Sequence, residues 1–317
     1  MTEHNLDLAI LEYGYTKRDG RFRSGLEFTV ALAQIAEECG YSRFWFTEHH
    51  GVGLQIACPE VVIAAVAAKT SRIRVGSAGI LLNYYSPFKV AETFHTLATL
   101  FPGRIDLGLA RGIGATPEVA ALLWDALPRP VNANAAAALF ERKVRDVIAH
   151  LRSGYEAQRK MPSDAALPSM PEIWLHGTGT VSAALAAKLG TKLTMAAWLP
   201  DTEEVDVPAT LAAYAARFQM APDAPAPAAC LSLAGICAET DAEAEVMLST
   251  VRERFGSEAA LHFCGSPERC RDTIIALADR HGVREVLIHV QHVPRERQER
   301  MVRLLADVML KGNAKPK

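Results

Sequence analysis

Leu6-Asp7-Leu8-Ala9-Ile10-Leu11-Glu12-Tyr13-Gly14-Tyr15-Thr16-Lys17-Arg18-Asp19-Gly20 contains the first regular element of the chain and decides its architecture. Leu6–Tyr13 is apolar enough for a strand covered on both faces, as in parallel sheets. A doubly wound dinucleotide fold follows its first strand with Gly-x-Gly-x-x-Gly, whose glycines let the backbone approach a pyrophosphate. Here the strand runs out into Glu-Tyr-Gly-Tyr-Thr-Lys-Arg-Asp-Gly, without that pattern.

Seven more strand candidates follow: Ser42–Thr47, Ile73–Leu82, Ile105–Ala110, Pro171–His176, Leu193–Trp198, Ala229–Cys237 and Arg284–Val290. Between them lie alanine-rich stretches of helical period. Gly25–Cys39 ends at Gly40, where a helix wants its C′ glycine. Pro59 and Pro87 open the helices Glu60–Lys69 and Phe88–Leu100, and Asp241 starts another with acids in its first turn. Eight strand–helix units make either one closed barrel or two open sheets, and the missing glycine fingerprint selects the barrel. The expectation is an α/β chain, one (β/α)8 TIM barrel over residues 1–317.

Trp124–Asn134 and Gly154–Ser169 break the rhythm between strands four and five, with a helical stretch Ala135–Leu151 between them. In a barrel the catalytic groups gather at the C-terminal ends of strands. An insertion after strand four therefore lies over the site, and its loops Asp125–Asn132 and Tyr155–Ser169 are expected to act as a mobile lid.

Charge narrows the function. The 317 residues carry 34 basic and 36 acidic side chains, a net charge of −2, with no block of one sign. A nucleic-acid or membrane-surface protein would need a clustered cationic face. The six cysteines form no Cys-x-x-Cys motif and read as reduced thiols of a cytoplasmic protein. The first residues show no basic segment followed by an apolar core, so no secretory signal is expected, and no segment reaches the ~18 apolar residues of a membrane span.

Three strand ends concentrate chemistry. Phe44-Trp45-Phe46-Thr47-Glu48-His49-His50-Gly51 ends a hydrophobic strand in one acid and two histidines. The pair is a polar strand terminus satisfied by backbone partners, a metal site completed by distant ligands such as His95, His176 or His289, or a general acid–base centre. An imidazole titrates near neutrality, and an adjacent carboxylate tunes it. The second strand end, Ala110-Arg111-Gly112, presents a guanidinium between small residues, suited to phosphate or carboxylate or to a neighbouring acid. The third, His176-Gly177-Thr178-Gly179-Thr180-Val181-Ser182, feeds through glycines and hydroxyls into a helix, as an anion cradle or as a plain helix cap. In a barrel the second and third are neighbours. Ser77-Ala78-Gly79 interrupts its own strand with small residues, as a bulge or as a shelf for a flat ligand.

Leu11-Glu12, Tyr41–His50 ending in Thr-Glu-His-His, Arg74–Gly79, Ser86–Glu92, Pro102–Gly112, Trp174–Thr180 and Cys264-Gly265-Ser266-Pro267-Glu268 stand in an order and spacing that resembles the luciferase-like flavin-dependent monooxygenases. The resemblance runs from Leu6 to about Met309. It implies a TIM barrel that binds FMN, reduced by a separate flavin reductase, and reacts it with oxygen to a hydroperoxide that oxygenates a small organic substrate, a secondary metabolite among the candidates. By motif position His49 resembles the active-site base or proton donor, supported by Glu48 and His50. Ala78 and Gly79 match a place where the family often has a non-proline cis peptide under the flavin ring. Arg111, Gly177, Thr178, Gly179 and Thr180 resemble the phosphate grip.

Ala110 stands where the light-emitting luciferase α chain has a reactive cysteine, which points away from light emission. Asn83-Tyr84-Tyr85 replaces a Pro-Asn-His found in one branch, and Thr-Gly-Thr stands where Ser-Ser-Gly is frequent. The resemblance also implies a homodimer. Its rivals are a deazaflavin-dependent hydride-transfer enzyme on the same barrel and a non-catalytic flavin-binding protein, whose expected mark is loss of the histidine pair.

Overall fold

The structure is a computed structural model that describes residues 6–14, 22–51, 56–125, 129–154, 170–196, 205–255, 261–290 and 295–310. Its strands are β1 (Asp7–Glu12), β2 (Arg43–Phe46), β3 (Arg74–Ser77), β4 (Ile80–Leu81), β5 (Ile105–Ala110), β6 (Glu172–Gly177), β7 (Lys192–Ala196), β8 (Ala229–Cys237), β9 (Phe263–Gly265) and β10 (Glu285–His289). Its helices are α1 (Phe22–Cys39), α2 (Pro59–Ala67), α3 (Pro87–Leu100), α4 (Pro117–Trp124), α5 (Ala133–Ala149), α6 (Thr180–Leu189), α7 (Val207–Arg217), α8 (Asp241–Phe255), α9 (Pro267–His281) and α10 (Arg295–Met309).

The sheet runs β10-β1-β2-β3-β5-β6-β7-β8, and β10 pairs in parallel with β8, which closes the ring. All pairings are parallel, so each strand is followed by a return path, mostly helical, on the outside. Alternation along each strand makes two cores. Leu8, Ile10, Phe44 and Phe46 pack outward in the large cluster shared with the helices, while Ala9, Leu11, Trp45, Trp174 and Leu287 pack together inside the ring. Among the described residues no helix is long and apolar enough to cross a membrane.

The end of the ring where the strands begin is filled by charge. Arg43 donates to Asp106 (2.8 Å), Glu172 (2.9 Å) and Glu285 (2.5 Å). Arg74 donates to the other oxygen of Asp106 through Nε at 2.9 Å and Nη2 at 2.5 Å, and Lys192 pairs with Glu172 at 2.7 Å. The Trp45 indole N–H completes the set on Asp106 at 2.8 Å. Arg43 also lies over Trp45 and Trp174, 5.6 and 5.0 Å from the ring centres.

The barrel confirms the fold expected from the sequence, with differences at the edges of elements. Gly40 takes φ +90° after α1, and Pro59 and Pro87 lie in the first turns of α2 and α3, as read. The predicted strand Ile73–Leu82 is instead two pieces, β3 and β4, followed by a 3-10 turn at Leu82–Tyr84. The cause is a close approach. A Cβ on Gly79 would come within 2.7 Å of the Gly108 carbonyl carbon, and the Ala78–Gly79 peptide is cis. The Ser77 hydroxyl bridges the break: it donates to the Gly108 carbonyl at 2.9 Å and accepts from the Gly108 N–H at 3.1 Å.

The insertion is helical on both sides of its first loop. Asn132 caps α5 through the Ala135 N–H at 2.9 Å, and Thr116 caps α4, a helix that apolar period alone does not announce. Residues 126–128 and 155–169, which hold most of the expected lid, lie outside the described residues, as do Ala197 and Trp198 of the predicted sixth strand. The Cys264–Glu268 turn begins in a short strand, β9, that adds to the end of β8.

Asp106 accepts from three donors carrying two charges and is fully buried. Asp106→Asn would turn an N–H toward an arginine and leave two guanidinium groups short of a counter-charge. It should cost about 3–5 kcal/mol, seen as a lower thermal unfolding midpoint with the barrel's circular dichroism otherwise retained at low temperature.

Candidate active site

A cavity of about 360 Å³ opens where the strands end. Small residues make one side of it: Ala78 and Gly79 between β3 and β4, Ala110 and Gly112 at the end of β5, and Ala196 on β7. Leu11, Tyr13, Leu81 and Leu287 add apolar surface. Polar groups enter from two directions, from the chain leaving β2 and from the ends of β5 and β6.

On the β2 side the chain leaves the strand through Thr47, Glu48 and His49, all on the cavity wall. His49 shares a hydrogen bond between Nδ1 and the Thr47 hydroxyl at 3.0 Å, and its ring stacks on Tyr13, with centres 5.0 Å apart. Burial, with His50 beside it, lowers the His49 imidazole to about 4, so the ring is neutral at physiological pH. Glu48 is a buried hub. One carboxylate oxygen accepts from His50 Nε2 at 2.8 Å and from the Tyr85 hydroxyl at 2.7 Å, and the other accepts from the Leu81 N–H at 2.9 Å. Burial, reinforced by the Glu48 charge, pushes the Tyr85 hydroxyl well above its ordinary value, which keeps it a donor.

On the opposite side Arg111 extends from the end of β5, exposed, and among the described residues it makes no hydrogen bond or ion pair. Beside it β6 ends in Gly177, Thr178 follows, and α6 begins behind an N-cap glycine, Gly179, with no side-chain cap. The first-turn N–H groups of α6 are therefore available to an anion. Gly177 is required by packing: a Cβ there would lie 2.1 Å from the Ser182 hydroxyl oxygen, and Ser182 itself lines the cavity.

Most residues singled out in the sequence thus converge. Glu48, His49, Ala78, Gly79, Ala110, Arg111, Gly177 and Thr178 share one cavity; His50, Gly179 and Thr180 do not reach its wall. His50 turns away, its ring held by the Glu48 carboxylate and its backbone paired with Ala115. The carboxylate expected to support His49 is bonded to His50 and Tyr85 instead.

Tyr13, Thr47, Thr194 and Ser232 line the cavity as well without a role assigned from the sequence, as do His176, read there as a distant metal ligand, and Ser182, read within the helix-start segment. Strand period was the available signal for Tyr13 and Thr47, each two positions beyond an inward residue, Leu11 and Trp45. His176 stands edge-on to Trp45, and burial drives its imidazole down to about 3 while the Ser77 carbonyl pulls the other way.

The residues fit a phosphorylated planar ligand. Arg111 and the open start of α6 suit the phosphate, and the Ala78–Gly79 face, kept free of bulk by the contact with Gly108, suits a flat ring.

Residues 13–262 match the family model described as luciferase-like monooxygenase. An N-acetyl-S-alkylcysteine monooxygenase of Bacillus subtilis is 37% identical over 204 residues, 63% of this chain and 58% of the relative. A luciferase-like monooxygenase of Escherichia coli K12 is 31% identical over 260 residues, 80% of this chain and 73% of the relative. The crystal structure of apo-MsnO8 covers 98% of this chain and 100% of its own at 31% identity, with a TM-score of 0.82. The fold alone is shared with the FMN complex of the oxygenating constituent of 3,6-diketocamphane monooxygenase from Pseudomonas putida (18% identity, TM-score 0.73, covering 98% and 100%) and with a coenzyme F420-dependent tetrahydromethanopterin reductase from Methanopyrus kandleri (15%, 0.66, 95% and 97%). On the span of the family match and these relatives, the chain belongs to the luciferase-like monooxygenases and is an oxidoreductase.

Proposed function

We propose that this chain is the oxygenating component of a two-component system: one barrel domain that takes reduced FMN from a separate reductase and uses O2 to oxygenate a small organic substrate. The carrying observation is Arg111, without a hydrogen bond or ion pair among the described residues, beside the start of α6, which has no side-chain cap, on one cavity. Bound there, reduced FMN would supply the electrons for activating oxygen. Arg111, the Gly177–Thr178 backbone and the first turn of α6 would hold its phosphate, and Ala78 and Gly79 would face its ring. His49 would exchange a proton with the reacting oxygen, its Nδ1 engaged by Thr47 and its Nε2 left for the cavity. Glu48 and His50 would brace the β2 loop rather than handle that proton.

A cytoplasmic setting agrees with six free cysteines, and a homodimer with the family resemblance. A deazaflavin reading uses the same barrel, and oxygen chemistry separates the two.

Titration with FMN tests the binding. Arg111→Ala should weaken it on the order of tenfold to a hundredfold, the loss of a charge-assisted contact. Unchanged FMN affinity, or preference of the wild type for a deazaflavin with no oxygen uptake from reduced FMN, would overturn the reading.

His49→Ala should bind FMN nearly as the wild type does, while oxygen-dependent turnover falls by ~10²–10⁴. Because the folded protein holds the imidazole neutral down to about pH 4, the wild-type rate should show no His49 limb between pH 5 and 8. Stability has the matching sign. As pH falls below 6.5 the unfolded chain takes up this proton first, so the His49 contribution to stability is present above 6.5 and is lost as pH falls toward 4. His49→Gln should flatten that part of the stability–pH curve.

A further inference from the structure

Lys143 lies on the buried face of α5, in register with Phe140, Val144 and Val147, where helical period calls for an apolar side chain. Among the described residues no carboxylate pairs with it, and an ammonium buried without a counter-charge is costly. Its three donors are nevertheless all used. They reach the backbone carbonyls of Leu82 at 3.3 Å, Asn83 at 2.7 Å and Tyr85 at 2.7 Å.

These carbonyls belong to the turn that follows β4: that of Leu82 also accepts from the Tyr85 N–H at 3.1 Å, while those of Asn83 and Tyr85 lie where the turn itself gives them no backbone donor among the described residues. The same turn is gripped from inside. Just before it the Leu81 N–H donates to Glu48, and at its end the Tyr85 hydroxyl donates to Glu48, which in turn holds His50. Burial lowers the Lys143 ammonium to about 8, with the Arg142 charge adding to the effect, so its charge is retained at neutral pH.

We propose that Lys143 is a positioning residue of the oxygenation site: from the insertion it fixes the Leu82–Tyr85 turn, so that Tyr85 and Leu81 hold Glu48 on the cavity wall and, through it, His50 behind that wall. The assignment of a role in oxygenation rests on the function proposed above; the positional coupling does not. A methionine would fill the same space, leave the Asn83 and Tyr85 carbonyls without that donor, and leave Leu82 with the Tyr85 N–H alone. The insertion between β5 and β6 then carries a specific polar contact to the turn beside the site.

The test uses apo protein and two readouts. In Lys143→Met the Leu81 amide should exchange with solvent at least tenfold faster. In protein labelled with 15N-histidine the His50 signal should shift, while that of His176, on β6, stays in place. Tyr85→Phe should move the same His50 signal, and the double variant should add nothing to the larger single effect. Lys143→Arg, which keeps the donors, should restore the wild-type His50 signal. If Lys143→Met does not fold, Lys143→Gln, with two donors, replaces it with the same direction expected.

A folded Lys143→Met with unchanged Leu81 exchange and His50 signal would overturn the proposal. So would effects of Lys143→Met and Tyr85→Phe that multiply. Retained FMN affinity in all these variants is expected, because the Arg111 corner lies elsewhere on the cavity. Failure of the wild type to bind FMN would instead overturn the functional reading and leave the coupling standing.

Discussion

Arg43, stacked on Trp45 and Trp174 and shared by Asp106, Glu172 and Glu285, is the interaction on which the barrel rests. Eight strands closed into a ring enclose a space that side chains have to fill. Here three cations, Arg43, Arg74 and Lys192, meet three carboxylates over two indoles, and the contacts come from β2, β3, β5, β6, β7 and β10. Such a cluster is no simple gain in stability, because desolvating six charges opposes their attraction. It does fix the register: a strand shifted by one residue would turn its charge out of the ring.

With one end filled by indoles and ions, the other can stay hollow. Ala78, Gly79, Ala110 and Ala196 line the hollow end, whereas Trp45 and Asp106 stand level with Gly76, and Trp174 with Gly108, further down the same ring. The division of labour is one of side-chain volume along the same strands. It places the cavity where the chain leaves the strands, and so where loops supply Glu48, His49, Arg111 and Thr178.

The barrel was legible because its strands are short apolar runs and the first lacks the dinucleotide glycines. The anion corner was legible because Arg111 and Gly177 end strands that pair directly. What remained hidden depends on contacts distant in sequence. The split of Ile73–Leu82 is caused by Gly108, some thirty residues on, and nothing in Ser-Ala-Gly distinguishes that from a bulge. The Glu48 partners Tyr85 and Leu81 were likewise out of reach, and Lys143 reads as a solvated helix charge until α5 is docked. His49 and His50 are adjacent in sequence and alike in type. Contacts distant in sequence separate them, His49 into the cavity and His50 onto a carboxylate with its backbone paired to the chain after β5.

The segment between β5 and β6 leaves and re-enters the ring at neighbouring, hydrogen-bonded strands. Its two ends are held together by the ladder whatever lies between, and lengthening a loop costs only about 0.6 kcal/mol per doubling. The strands that carry Arg111 and Gly177 therefore set their own spacing, and evolution can rewrite the intervening sequence with little effect on it. For engineering, this makes the insertion the natural cassette for exchange between relatives, provided a transplanted helix brings a donor for the Leu82–Tyr85 carbonyls.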